Sequence, residues 1–304
     1  MELSEVYEKT DFPQLKNPII FIGTGRSGTS VISEVVMRHK ELAFPSSYQN
    51  RMPLNTKVNY LRRLLDNSLW RIHGQKEQLN KVSIINRYTF RPVEAYTMWN
   101  TITDDGVNFS RDFLLNKKAS PEKVLFLRKY FKEMVKNQGR KRLSFKITGP
   151  SRMEYLLSIF PDANFVNLRR EHVPVISSFI KVGFWGSRGM DKLWWQGAYS
   201  PEELEWANTH SDNPVALTAL QIKKVIDCTE YEKEKMKPIY YEAHYKDFVQ
   251  RPKEVVDGIL SFLELSPDKA CDSYLKQNKI VNRNKKDSEY FTNEELNMIN
   301  SIFS

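Results

Sequence analysis

The run Gly23-Thr24-Gly25-Arg26-Ser27-Gly28-Thr29-Ser30 lies between the apolar Ile19-Ile20-Phe21-Ile22 and the segment Val31-Ile32-Ser33-Glu34-Val35-Val36. A short β-branched run, a loop of glycines and hydroxyls, then apolar positions at helical spacing predict strand, phosphate-cradling loop and helix. Gly23, Gly25 and Gly28 let backbone amides approach an anion with no Cβ in the way. Ser27, Thr29 and Ser30 add hydroxyl donors, and the helix start adds the positive end of its dipole. From Gly23 to Gly28 the spacing matches the P-loop outline G-x-x-x-x-G, but Thr29 stands where a nucleotide triphosphatase carries its lysine. The cation sits inside the loop instead, at Arg26.

The rest of the chain continues in an α/β rhythm. Residues 143–147, 163–168 and 238–243 read as strands, and 151–160, 173–182, 214–236 and 252–263 as helices. Strands alternating with helices predict a central, mostly parallel sheet flanked by helices, because parallel strands need long crossovers. Pro121 opens a helix with the apolar stripe Val124, Leu127, Tyr130, Phe131, Met134 and Val135. Residues 41–51 read as a loop, and Tyr60, Leu61, Leu64, Leu65 and Leu69 have helical spacing. Trp70 to Phe113 is polar with weak periodicity and reads as a substrate-facing insertion. The expected organisation is one domain over 1–304, with a helical insertion at about 46–140. Thr292-Asn293-Glu294-Glu295 forms a capping box ahead of a final docking helix.

The chain has 304 residues, 40% of them hydrophobic and 27% charged, which is ordinary for a globular protein and argues against disorder. A net charge of +9 suits a polyanionic partner: a nucleotide, an acidic glycan or a nucleic acid. Cys228 and Cys271 lack metal-ligand spacing and read as ordinary thiols. His172, His210 and His244 share no metal-like spacing, so no metal is expected. No apolar segment approaches the ~20 residues of a spanning helix. The acidic N-terminus shows no signal peptide, and the expected address is cytoplasmic.

A second motif is Phe165-Val166-Asn167-Leu168-Arg169-Arg170-Glu171-His172-Val173-Pro174-Val175-Ile176-Ser177-Ser178. An arginine at a strand end and a serine about two turns into the next helix can converge on one phosphate. The carboxyl end of a strand is also where open α/β sheets bind ligands.

With that motif in place, the chain resembles the sulfotransferases that use 3′-phosphoadenosine 5′-phosphosulfate, PAPS. Thr24 to Ser30 resembles their 5′-phosphosulfate loop, and Arg170 to Ser178 their 3′-phosphate motif. Phe160-Pro161-Asp162-Ala163-Asn164-Phe165 leads into the second motif as it does in the family. Tyr245-Lys246-Asp247-Phe248-Val249-Gln250-Arg251-Pro252 is similar to the family's Y-E-D-L-x-x-x-P. The resemblance implies a P-loop-like sulfotransferase fold and metal-free, in-line transfer of a sulfuryl group from PAPS to a hydroxyl or amine. Arg26 stands where the family places a loop cation on the phosphosulfate; Gly25, Ser27, Gly28, Thr29 and Ser30 would hold the 5′-phosphate. Arg170 and Ser178 would hold the 3′-phosphate, with Arg283 and Lys285 in the place of the family's C-terminal basic loop. A solvated charge run is the competing account of that loop.

Many members carry a K-x-H element; here it reads Lys146-Ile147-Thr148, which keeps the lysine contact and lacks the histidine base. Arg91-Pro92-Val93-Glu94-Ala95-Tyr96-Thr97-Met98-Trp99 resembles a segment of bacterial-type members, and Glu94 is the first candidate base. A solvated or salt-bridged carboxylate is the alternative for Glu94, and His73, Asp104 and Asp105 follow it as bases. Trp185, Trp194, Trp195 and Tyr199 either line an acceptor pocket or pack a loop. The acceptor is expected to be a small molecule, glycan or lipid rather than a nucleic acid. Its identity and the oligomeric state stay open, as do two other functions: a P-loop nucleotide kinase, and a basic module that binds nucleic acid or acidic glycan.

Overall fold

The computed structural model describes residues 2–65, 90–278, 280–282, 284 and 289–304. Five strands form one sheet: β1 Ile19–Ile22, β2 Leu42–Ala43, β3 Arg142–Lys146, β4 Asn164–Arg169 and β5 Ile239–His244. Their order is β2-β3-β1-β4-β5, and all four pairings are parallel. β1 is central, buried on both faces, which explains its unbroken apolar sequence.

Alternate residues of β1 feed two different cores. Ile20 and Ile22 pack with Leu143, Phe145 and Phe165 against the helix Pro121–Gln138, through the stripe from Val124 to Val135. Ile19 and Phe21 face the other way, toward Ile32, Val35 and Val36 of the helix Thr29–Val36 and Val256, Ile259 and Leu260 of Pro252–Phe262. The result is a three-layer α/β domain, helices on both faces of a parallel sheet, as the sequence pattern predicts. A third cluster joins the helices His172–Ile180, Pro214–Met236 and Asn293–Phe303 beneath the tryptophan-rich loop.

Three local expectations are corrected. Residues 41–51 are not wholly loop: Leu42 and Ala43 pair with Arg142 and Leu143 as an edge strand, and Ser47–Arg51 is a short helix. The helix expected at 151–160 is a shorter Met153–Leu157. Helical spacing after Tyr60 resolves into a 3-10 stretch, Thr56–Leu61, and one turn, Arg62–Leu65, with Leu69 outside the described residues.

Within 46–140 the described residues divide between core and cleft. Trp99 is fully buried, its ring centroid 4.6 Å from that of Phe109 and 5.2 Å from those of Phe131 and Phe145. Arg91, Glu94, Tyr96 and Thr97, from the same stretch, line a cleft at the carboxyl end of the sheet.

Candidate active site

That cleft has a volume of about 920 Å³ and opens beside the carboxyl ends of β1 and β4, where the chain turns from one half of the sheet to the other. This is the switch point at which open α/β sheets hold ligands. Its floor is the loop after β1. Gly25 (φ 80°), Arg26 (φ 56°) and Gly28 (φ 85°) all have left-handed backbone, which turns the loop tightly into the helix Thr29–Val36. A side chain at Gly28 would overlap the Tyr245 ring, and a Cβ on Gly23 would lie 2.7 Å from the Leu168 carbonyl oxygen. The first bond of the helical ladder runs from the Ile32 N–H to the Gly28 carbonyl, 3.1 Å. The amides of Thr29, Ser30 and Val31 therefore precede the ladder, at the helix end that attracts anions.

Gly25, Arg26, Gly28, Thr29 and Ser30 line the cleft; Ser27 does not. Its side chain is buried and its hydroxyl pairs with that of Thr29 at 2.8 Å, so Ser27 stiffens the loop and offers the cleft only its backbone.

Two polar groups face each other across the loop. In the first, Lys146 at the end of β3 is 5% exposed; its Nζ donates to Ser30 Oγ at 2.9 Å and lies 3.9 Å from Glu94 Oε1. In the second, Arg26 Nε donates to Ser178 Oγ at 3.0 Å, and Arg170 Nη1 donates to the Arg26 carbonyl at 3.0 Å. Arg170 Nε also donates to Asn284 Oδ1 at 2.8 Å, and its guanidinium lies 4.9 Å from the Tyr245 ring centroid. Arg26 thus meets Ser178 and Arg170, while Lys146 is the cation beside Glu94. Arg283, Lys285 and His73 lie outside the described residues.

At Thr148, where the resemblance leaves a histidine missing, Tyr96 binds the backbone. Its hydroxyl donates to the Thr148 carbonyl at 2.7 Å and accepts from the Thr148 N–H at 3.1 Å. Burial, reinforced by the nearby Glu94 charge, pushes the Tyr96 phenol up, so it stays protonated. Sequence reasoning includes Tyr96 in the Arg91–Trp99 segment but gives it no role, because its partner, the Thr148 backbone, is set against it only by the fold. It passed over the stacking of Tyr245 on Arg170 too, although the Tyr245–Pro252 segment had been singled out. Neither Asp104 nor Asp105 lines the cleft; Asp104 accepts from the Tyr155 hydroxyl at 2.6 Å and from the Ser120 N–H at 3.3 Å.

Trp185, Trp194 and Trp195 line the cleft and are also packed. Trp185 Nε1 donates to Thr218 Oγ1 at 2.9 Å, and Gln221 accepts the Trp194 N–H at 2.7 Å. Tyr199 stays with the packed cluster, its ring edge-on to Phe113 at 5.9 Å. His210 stacks on Trp206, His172 on Phe303, and His244 pairs with Glu242. Among the described residues no group of His, Cys, Asp and Glu is arranged to hold a metal, and no helix is long and apolar enough to cross a membrane.

A parallel α/β sheet with a glycine-rich loop after its central strand and cations at the ends of two neighbours is an arrangement in which open α/β sheets hold anionic ligands at the switch point. The chain belongs to the sulfotransferase family, whose profile matches residues 18–269. Among solved structures it is similar to sulfotransferase STF9 from Mycobacterium avium, at 16% identity and a TM-score of 0.56, covering 99% of this chain and 80% of that one. It is also similar to sulfotransferase STF1 from Mycobacterium tuberculosis H37Rv, at 12% identity and a TM-score of 0.52, covering 99% and 81%. At these identities the likeness is one of fold. No curated protein sequence matches the chain.

Proposed function

We propose that the protein transfers a sulfuryl group from PAPS to the hydroxyl or amine of a small acceptor. The observation that carries this reading is the convergence in one cleft of the Gly23–Ser30 loop, Lys146 from β3, and Arg170 and Ser178 from the end of β4 and the helix after it. The residues fit the donor: the loop leaves helix-start amides open to one phosphate, and Arg170, Ser178 and Arg26 form a separate cationic seat for another. Bound PAPS would supply a sulfuryl group activated by its anhydride bond to the 5′-phosphate.

Glu94 takes the proton from the acceptor hydroxyl as the new oxygen–sulfur bond forms. The loop amides and Lys146 neutralise the charge that the broken sulfur–oxygen bond leaves on the 5′-phosphate oxygen. Lys146 is suited to this because Ser30 holds its ammonium within the cleft, 3.9 Å from the base, so no reorientation is needed. Tyr96 fixes the Thr148 backbone at the end of β3 and keeps the wall beside Glu94 rigid.

Paired titrations test this against a kinase reading. The protein is expected to bind adenosine 3′,5′-bisphosphate without magnesium, and more tightly than ATP with magnesium. Tight magnesium-dependent ATP binding with no preference for the bisphosphate would overturn the proposal.

A further inference from the structure

The cleft wall away from the phosphate loop begins at Gly25, where an added Cβ would lie 3.0 Å from Phe179 Cζ. It continues through Trp185 and Trp195, whose ring centroids are 4.7 and 6.1 Å from that of Phe179. Its outer part is Phe184, 45% exposed, and Trp194. The Arg188 guanidinium lies 5.1 Å from the Phe184 ring centroid and 4.9 Å from that of Trp194. Trp194 is held in place: Arg111 Nε donates to its carbonyl at 3.0 Å, and Gln221 accepts its N–H. Arg91, on the segment that carries Glu94, lines the same cleft.

These two arginines are surplus to the donor site. Around the loop, Arg26 donates to Ser178, Lys146 to Ser30 and Arg170 to the Arg26 carbonyl. The carboxylates lining the cleft are Glu34 and Glu94, and Glu94 sits beside Lys146. Among the described residues neither Arg91 nor Arg188 makes an ion pair. A guanidinium resting on aromatic faces loses part of its hydration and keeps its N–H edge free for a planar or tetrahedral oxyanion.

We propose that the acceptor is itself an anion: a small hydroxylated molecule with a flat or apolar body, which also carries a carboxylate, phosphate or sulfate group. Its body rests on Phe184 and the tryptophans, and its charge pairs with Arg188 and Arg91. The proposal rests on the sulfotransferase reading above. The test is equilibrium titration of the protein saturated with adenosine 3′,5′-bisphosphate, using 6-hydroxy-2-naphthoate and 2-naphthol as matched anionic and neutral probes. The anion is expected to bind about tenfold tighter, or about 1.4 kcal/mol. Arg188→Gln and Arg91→Gln should each shrink that preference while leaving the bisphosphate affinity unchanged, which also reports that the variants fold. Equal or tighter binding of 2-naphthol, binding of neither probe, or variants that keep the full preference would overturn it. Failure of the bisphosphate itself to bind the wild type would instead overturn the donor assignment, and the acceptor proposal with it.

Discussion

Glu94 and Lys146 come from segments far apart in sequence, yet their charged atoms stand 3.9 Å apart with Ser30 beside them. Replacing Glu94 by Gln keeps the shape and removes the proposed base, so transfer of radiolabelled sulfate from PAPS to 6-hydroxy-2-naphthoate should slow about 100-fold or more, with bisphosphate affinity unchanged. Undiminished transfer would show that the proton goes elsewhere. At Gly28 the argument is steric: the backbone is left-handed and the Tyr245 ring occupies the space of a side chain. Gly28→Ala should cost about 1–2 kcal/mol for the backbone alone, with more from the overlap, read as a lowered Tm. Adding Tyr245→Ala should return the overlap part only. The tight turn from β1 into the helix Thr29–Val36 was legible because glycines and hydroxyls at fixed spacing have a direct physical use. Tyr96 and Arg188 were not, since their roles depend on what the fold sets against them: the Thr148 backbone for one, two aromatic rings for the other.

At the scale of elements, four of the five strands were visible as short runs rich in β-branched and aromatic residues, unbroken and wholly buried only in the central β1, whereas the edge strand β5 buries only Ala243. β2 escaped because two residues carry no periodicity; its existence depends on pairing with β3. The capping box at Thr292 predicted the start of the last helix, and its reciprocal bonds between Thr292 and Glu295 are present. That helix brings Phe303 onto His172, ring centroids 4.1 Å apart at 12°. Burial holds the His172 imidazole below its ordinary value of 6.5, with Glu171 partly opposing. A folded value below the unfolded one means that its contribution is fully present above pH 6.5 and is lost as pH falls through the folded value. Tm should therefore decline on acidification from about pH 7.5 to 5.5, more steeply for wild type than for His172→Phe. Parallel declines in the two proteins would remove His172 from the account.

Across the whole molecule the net charge of +9 suits a polyanionic partner without choosing one. The fold places cations at the ends of β3 and β4, on either side of the loop after β1, where the proposed donor, with its two separated phosphates, would meet both. Binding of such a ligand should weaken with added salt, although less than for a surface site, since Lys146 is shielded from screening by burial. In the proposed function Arg170 and its neighbours recognise a 3′-phosphate. The direct measurement compares affinities for adenosine 3′,5′-bisphosphate and adenosine 5′-monophosphate on wild type and Arg170→Ala. The 3′-phosphate is expected to strengthen wild-type binding about 100-fold, as for charge-assisted bonds of about 2–3 kcal/mol, and less than about tenfold in the variant. Equal affinities in the wild type, or a ratio that Arg170→Ala leaves unchanged, would contradict it.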